Sequence, residues 1–205
     1  MNLPLTAASQ TTLAGVAAVP PPAGNTVEPL LAALRSTDAR QRGRAWQSAG
    51  SLGADAVRPL AALMQDPQFE TARSARRAIE RIVADAGRPG AEAKRQAIAR
   101  ELIAVLESRP PTRIARDLLW LASEVAGDNA VLALAAWLNH PDLREDARQV
   151  LHRLPGDAAL AALRAAFASA PEEFKPNLAY SLRARGVSIA GYPDAKLLPT
   201  RPAAD

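Results

Sequence analysis

Apolar residues along this chain recur at helical spacing, not strand spacing. Val27, Leu30, Leu31 and Leu34 fall at i, i+3, i+4 and i+7, and Ala75, Ala78, Ile79 and Ile82 repeat the pattern. Ile114, Leu118, Leu121, Ala122 and Val125 make a third such stripe. Each stripe predicts an amphipathic helix with a single buried face. The segment VEPLLAAL at 27–34 recurs as VRPLAALM at 57–64, and an Ala/Arg-rich helical stretch follows both copies. Thr26 suits the N-cap of the first helix, and Thr37 or Asp38 that of the second.

The second helix of each pair ends near a glycine: Gly53, Gly87, Gly127, Gly156 and Gly186, at intervals of 34, 40, 29 and 30 residues. A glycine just past a helix can take the left-handed conformation that turns the chain into the next element. These glycines therefore divide the chain into five hairpins, 26–53, 54–87, 88–127, 128–156 and 157–186. The third is longest because residues 91–108 read as one extended helix before Arg109-Pro110-Pro111. A period of about 30 residues describes helix pairs that cannot bury their apolar faces alone and stack on neighbours. The predicted fold is all-α, a right-handed α-solenoid of about five hairpins.

Residues 1–25 carry no charge and end in a run of three prolines, so they read as a flexible, extended N-terminal arm. Residues 26–186 form the repeat domain, and 187–205, with Gly191, Pro193, Pro199 and Pro202, form an irregular tail that lies on the last repeat or dangles. No Lys or Arg precedes the short apolar run at 13–19, which argues against a secretory signal and leaves a degenerate leader as the alternative. No run approaches 18 apolar residues, so no membrane span is expected. A cytoplasmic location is expected, with a periplasmic or exported one as the alternative.

The units resemble HEAT and HEAT-like repeats, the family that includes the repeats named after phycobilisome lyases. The resemblance is carried by Pro29 and Pro59 in first helices and by Asp66-Pro67 and Pro141-Asp142 in turns. Second helices matching the family pattern run through Gln41, Arg42, Ala45, Ala49, Leu52 and Gly53, from Thr71 to Val83, and from Glu145 to Gly156. Pro110-Pro111 replaces the usual Asp-containing turn in the third unit. The resemblance implies the solenoid fold and a second-helix surface that meets ligands; the family serves scaffolds, adaptors, lyases and DNA-repair proteins alike.

Composition narrows the chemistry. Aromatics are 4% of the chain, so the core is aliphatic, and without cysteine there is no disulfide, thiolate metal site or Cys nucleophile. Positive charge concentrates early: residues 35–100 hold 13 Arg/Lys against 7 Asp/Glu, whereas 101–205 hold 12 against 13. A net charge of +4 is modest for a dedicated nucleic-acid binder.

Helical spacing sets Arg73, Arg76, Arg77 and Glu80 opposite the buried stripe of the second unit. Glu80 can pair with Arg76 or Arg77, leaving at least one arginine free for a partner. In the third unit Trp120 stands on the charged side among Arg113, Arg116, Asp117 and Glu124, the setting of an interaction anchor. Trp46 and Trp120 each precede their closing glycine by seven residues, and Tyr180 precedes Gly186 by six. The predicted partner-binding strip comprises Trp46, Arg73, Arg76, Arg77, Arg113, Asp117, Trp120 and Tyr180. The same placement suits plain packing against a neighbouring repeat, for Trp46 above all.

No catalytic residue, metal site or cofactor is expected. His140 and His152, the only histidines, read as solvated, and Glu145-Asp146 and Glu172-Glu173 as carboxylates favoured by nearby helix starts. Gly-x-Gly-x-x-Gly, Gly-x-x-x-x-Gly-Lys and Gly-x-Ser-x-Gly are all absent. The leading expectation is a non-enzymatic interaction or scaffold module for a protein partner. The first alternative is a nucleic-acid binder resembling the HEAT-like DNA glycosylases, for which Asp117 and Trp120 are suggestive, and the second a bilin-lyase-like small-molecule helper.

Overall fold

The computed structural model describes residues 27–192, which are helical with no strand among them. The expected Thr26 cap, the arm at 1–25 and the tail beyond 192 lie outside the described residues. Ten α-helices follow in pairs: α1 (Val27–Leu34) and α2 (Ala39–Ser48), α3 (Val57–Leu63) and α4 (Phe69–Ala86), α5 (Glu92–Glu107) and α6 (Thr112–Val125), α7 (Val131–Ala135) and α8 (Arg144–Arg153), α9 (Asp157–Ser169) and α10 (Lys175–Ala184). Single 3₁₀ turns at Ala49–Ser51, Ala54–Ala56, Asp128–Ala130 and Ala136–Asn139 complete them.

The sequence explains where the helices begin and end. Asp38 caps α2, its Oδ1 accepting from the Arg40 N–H at 2.8 Å, while Pro29 and Pro59 sit in first turns where no intrahelical N–H is needed. The helix over 92–107 is followed by Arg109, which takes φ 54 before Pro110-Pro111 leads into α6. Gly186, at φ 77 just past α10, behaves as expected; Gly156 also has a positive φ, 90, but with ψ 169 it is the N-cap residue of α9. The other three closing glycines have negative φ. Gly53 and Gly127 are extended residues, φ −94 and −127, at the start of the next hairpin's 3₁₀ turn, and Gly87 continues right-handed at φ −74. α2 runs into a 3₁₀ turn, α4 ends on right-handed Gly87 and α6 on extended Ala126, so nothing there demands the left-handed region.

Packing follows chain order. Each hairpin's two helices touch; beyond that, α1, α3, α5, α7 and α9 touch in sequence, as do α2, α4, α6, α8 and α10. One continuous cluster of buried apolar residues reaches from Leu30 to Leu182, mostly Leu, Ile, Val and Ala, with Trp137 and Phe174 as aromatic members. The small residues permit close approach: Gly50 sits so near α4 that a Cβ there would lie 3.4 Å from the Arg81 carbonyl oxygen. The Lys94 ammonium adds a polar tie from α5, donating to the Gly50 carbonyl at 2.8 Å and to Asp85 at 2.6 Å. After α10, Val187 and Ile189 pack on the core, and Tyr192 meets Phe167 edge-on at 5.3 Å. The described part of the tail thus lies on the last hairpin. Among the described residues no helix is long and apolar enough to cross a membrane.

Candidate functional site

The second helix of every hairpin turns one stripe to the core and leaves its opposite face open. On α4 the stripe is Ala75, Ala78, Ile79 and Ile82, all fully buried, and Arg73 and Arg76 are exposed, with Arg77 and Glu80 half-buried. On α6 the residues flanking Trp120 in sequence, Leu119 and Leu121, are buried, which rotates the indole outward to 50% exposure. Tyr180 on α10 is 43% exposed by the same geometry, between buried Ala179 and Ser181.

An arginine bridges each successive pair of these helices. The Arg77 guanidinium of α4 lies 5.3 Å from the Trp46 ring centroid of α2. Arg76 reaches from α4 to Asp117 of α6 at 3.2 Å while also pairing with Glu80 at 3.3 Å. Arg116 of α6 pairs with Asp146 of α8 at 3.1 Å, and in return Arg153 of α8 ion-pairs with Glu124 and covers the Trp120 ring at 4.6 Å. Arg148 of α8 donates to the Ser181 hydroxyl of α10 and stands 6.0 Å from the Tyr180 ring. Partly exposed pairs of this kind contribute about 0–1 kcal/mol each, and cation–π contacts about as much.

Of the three arginines expected on the open side of α4, Arg77 is the one left without a carboxylate among the described residues. Arg73 meets Glu70 at 3.5 Å, Arg76 has two carboxylates, and Arg77 is seated on Trp46. Arg113, expected on the ligand-facing side, donates to the Met64 carbonyl at 2.9 Å and so closes the C-terminus of α3. Trp46 is half-buried and packed on the core, unlike Trp120. Of the eight candidates the structure therefore joins Arg76 to Asp117 and Arg77 to Trp46, and leaves Trp120 and Tyr180 as the large aromatics half open to solvent. Burial raises the Asp117 carboxyl above its usual range, against the opposing pull of Arg76, Arg113 and Arg116.

The α8–α10 junction holds groups the sequence reading missed. Arg148 is 3% exposed and forks onto Glu145, with contacts at 2.6 and 2.8 Å. Burial by itself would lift the Glu145 carboxyl; the Arg148 hydrogen bonds and charge, with donors from Asn177 and Gln149, together hold it below the usual carboxylate range. The carboxylate pair at 145 and 146 is thus engaged in specific ion pairs, beyond the expected preference for a helix start. The 145/148 spacing was the visible signal, an i,i+3 acid–base pair beside a core stripe.

His152 is half-buried and only partly solvated. Its ring stacks on Tyr180 with centroids 5.7 Å apart and 17° between planes, and its Nδ1 is buried without a hydrogen-bond partner among the described residues. Desolvation, and then the charges of Arg148 and Arg185, push its pKa below the ordinary value, with Glu145 opposing. His140 serves the turn before α8, its Nδ1 accepting from the Asp142 N–H at 3.2 Å. Among the described residues no cluster of three or more metal-ligating side chains is present.

A cavity of about 200 Å³ lies where the 3₁₀ turn Ala136–Asn139, α8, α9 and α10 approach, bounded by Leu138, Arg144, Ala170, Phe174 and Leu178. It is smaller than the few hundred Å³ typical of sites that enclose a drug-sized ligand. Neither a protein-family model nor a curated protein matches the chain.

Proposed function

We propose that the chain is a non-enzymatic docking module: a right-handed α-solenoid of about five HEAT-like hairpins that holds a protein partner along the open face of its second helices. The observation that carries this reading is the pairing of order-preserving helix contacts with two half-exposed aromatic rings, Trp120 and Tyr180, on alternate members of one row. Rigid aromatics framed by arginine give large contact area at little entropic cost, which is the chemistry of interaction hot spots. Both rings are already oriented by Arg153 and by the His152 stack, so a partner would find them pre-organised.

Photo-crosslinking tests the reading. A crosslinking amino acid placed at position 120 or 180 is expected to capture the same protein in cells. The same group at position 132, where an exposed leucine stands on α7 in the other row, captures nothing in common. The captured protein is then purified and titrated against the Trp120→Ala/Tyr180→Ala variant, whose affinity falls at least about tenfold. Equal capture from position 132, or unchanged affinity in the variant, refutes the assignment.

A further inference from the structure

Charge is divided unequally between the two rows of helices. The second helices α2, α4, α6, α8 and α10 hold fourteen Arg and Lys against seven Asp and Glu, while the first helices hold five against five. The open row thus carries the helical positive excess, on the side where the aromatics are exposed.

The excess is also unevenly compensated. Toward α8 the arginines meet carboxylates: Arg116 with Asp146, Arg153 with Glu124, Arg148 with Glu145. On α2 there is no acid at all. Arg42 there donates to the carbonyls of Ser36 and Thr37, which orders it without neutralising it. The side chains of Arg40 and Arg44 are exposed, opposite buried Ala45 and Ala49, and make no hydrogen bond or ion pair among the described residues. On the neighbouring helix α4, Arg77 rests on an uncharged ring, Trp46.

Building on the docking reading above, we propose that the α2–α4–α6 end of the open face receives an acidic polypeptide segment, its carboxylates on Arg40, Arg44 and Arg77 and an apolar side chain on Trp120. A polypeptide fits better than a phosphodiester strand because the face is mixed in sign. Glu70 and Glu80 stand exposed or half-exposed among the arginines of α4, and Glu124 beside Trp120, where evenly spaced phosphates would meet repulsion. A peptide can alternate acidic and apolar positions to suit. Neighbouring helices lie about 10 Å apart, so the path from α2 to α6 spans about 20 Å, or about six extended residues.

The test uses the full chain and fluorescein-labelled peptides of one length, alternating leucine with glutamate, with glutamine or with lysine, and a single-stranded DNA oligomer as competitor. The glutamate peptide is expected to bind at least about tenfold more tightly than the glutamine peptide and to weaken as salt is raised. Arg40→Glu/Arg44→Glu is expected to lower that affinity at least about tenfold with the helical circular dichroism and melting curve unchanged, since neither side chain makes a hydrogen bond or ion pair among the described residues. The proposal is overturned if the glutamine or lysine peptide binds as well, if the double variant binds normally, if no peptide binds, or if DNA displaces the glutamate peptide at lower concentration than an unlabelled copy of it. Should crosslinking at 120 and 180 identify a partner while the glutamate peptide fails, the docking reading stands and the acidic chemistry falls. If crosslinking fails as well, both fall.

Discussion

Replacing Arg148 with methionine keeps the apolar stem of the side chain and deletes the charge that joins α8 to α10. The Arg148 side chain is 4% exposed and that of Glu145 19%, so the change leaves a largely buried carboxylate with only the Asn177 and Gln149 amides as donors. The Ser181 hydroxyl, fully buried, loses its contact as well. Removing one member of a buried ion pair costs about 3–5 kcal/mol, and the residual exposure and amide donors of Glu145 set the expectation at the lower end, about 3 kcal/mol. For a domain of this size that corresponds to a fall in Tm of about 6–12 °C. Thermal and urea denaturation followed by circular dichroism at neutral pH measure it. Because an apolar pair of similar volume needs no desolvated charge, Arg148→Met/Glu145→Leu is expected to recover most of the loss. A loss below about 1 kcal/mol, or a double variant less stable than the single one, would refute the assignment of this pair as buried and interdependent.

His152 makes the fold sensitive to mild acid. Its folded pKa lies below the ordinary 6.5, so the unfolded chain binds the extra proton, and stability falls as pH drops through 6.5, above the range where carboxylates titrate. Urea midpoints on either side of 6.5 should show the fall, and His152→Phe, which keeps a ring against Tyr180, should abolish it; a slope surviving in that variant sinks the explanation. Gly156→Ala is expected to cost about 1–3 kcal/mol, because φ 90 with ψ 169 is a region essentially confined to glycine and the new Cβ would lie 2.9 Å from Asp128 Oδ1. The matching change at Gly53, extended and with open space for a Cβ, should cost less than half as much in the same melt. Asp38→Ala, removing the α2 cap, should cost about 1 kcal/mol by urea titration.

Helix pairing was legible because it depends on local periodicity: the stripes at 75–82 and 114–125 are buried as their spacing implies. Local ion pairs were legible too, and Glu80 does meet Arg76. Contacts between helices were not, since nothing in the spacing within α4 announces that Asp117 will take Arg76 from the far side or that Trp46 will seat Arg77. Of the three arginines expected on the open side of α4, the one without a carboxylate is Arg77, seated on a ring, and the side chains of Arg40 and Arg44, on a helix that drew notice for Trp46, make no hydrogen bond or ion pair among the described residues. His152 was misread for the same reason: its burial is supplied by Tyr180 of α10, 28 residues on, and not by its own helix. The glycines show the opposite limit, because a residue type that permits a left-handed turn does not require one.

Bridging arginines join every successive pair in the row of second helices, whereas in the row of first helices Arg58 of α3 makes such an ion pair with Glu101 of α5. The joints of the second-helix row are reinforced by charge and ring contacts at the solvent edge, whereas the shared interior of both rows is aliphatic. Raising ionic strength slackens the first kind of joint and leaves the second untouched. Added salt is therefore expected to loosen the solvent edge of the second-helix row before it loosens the packed interior.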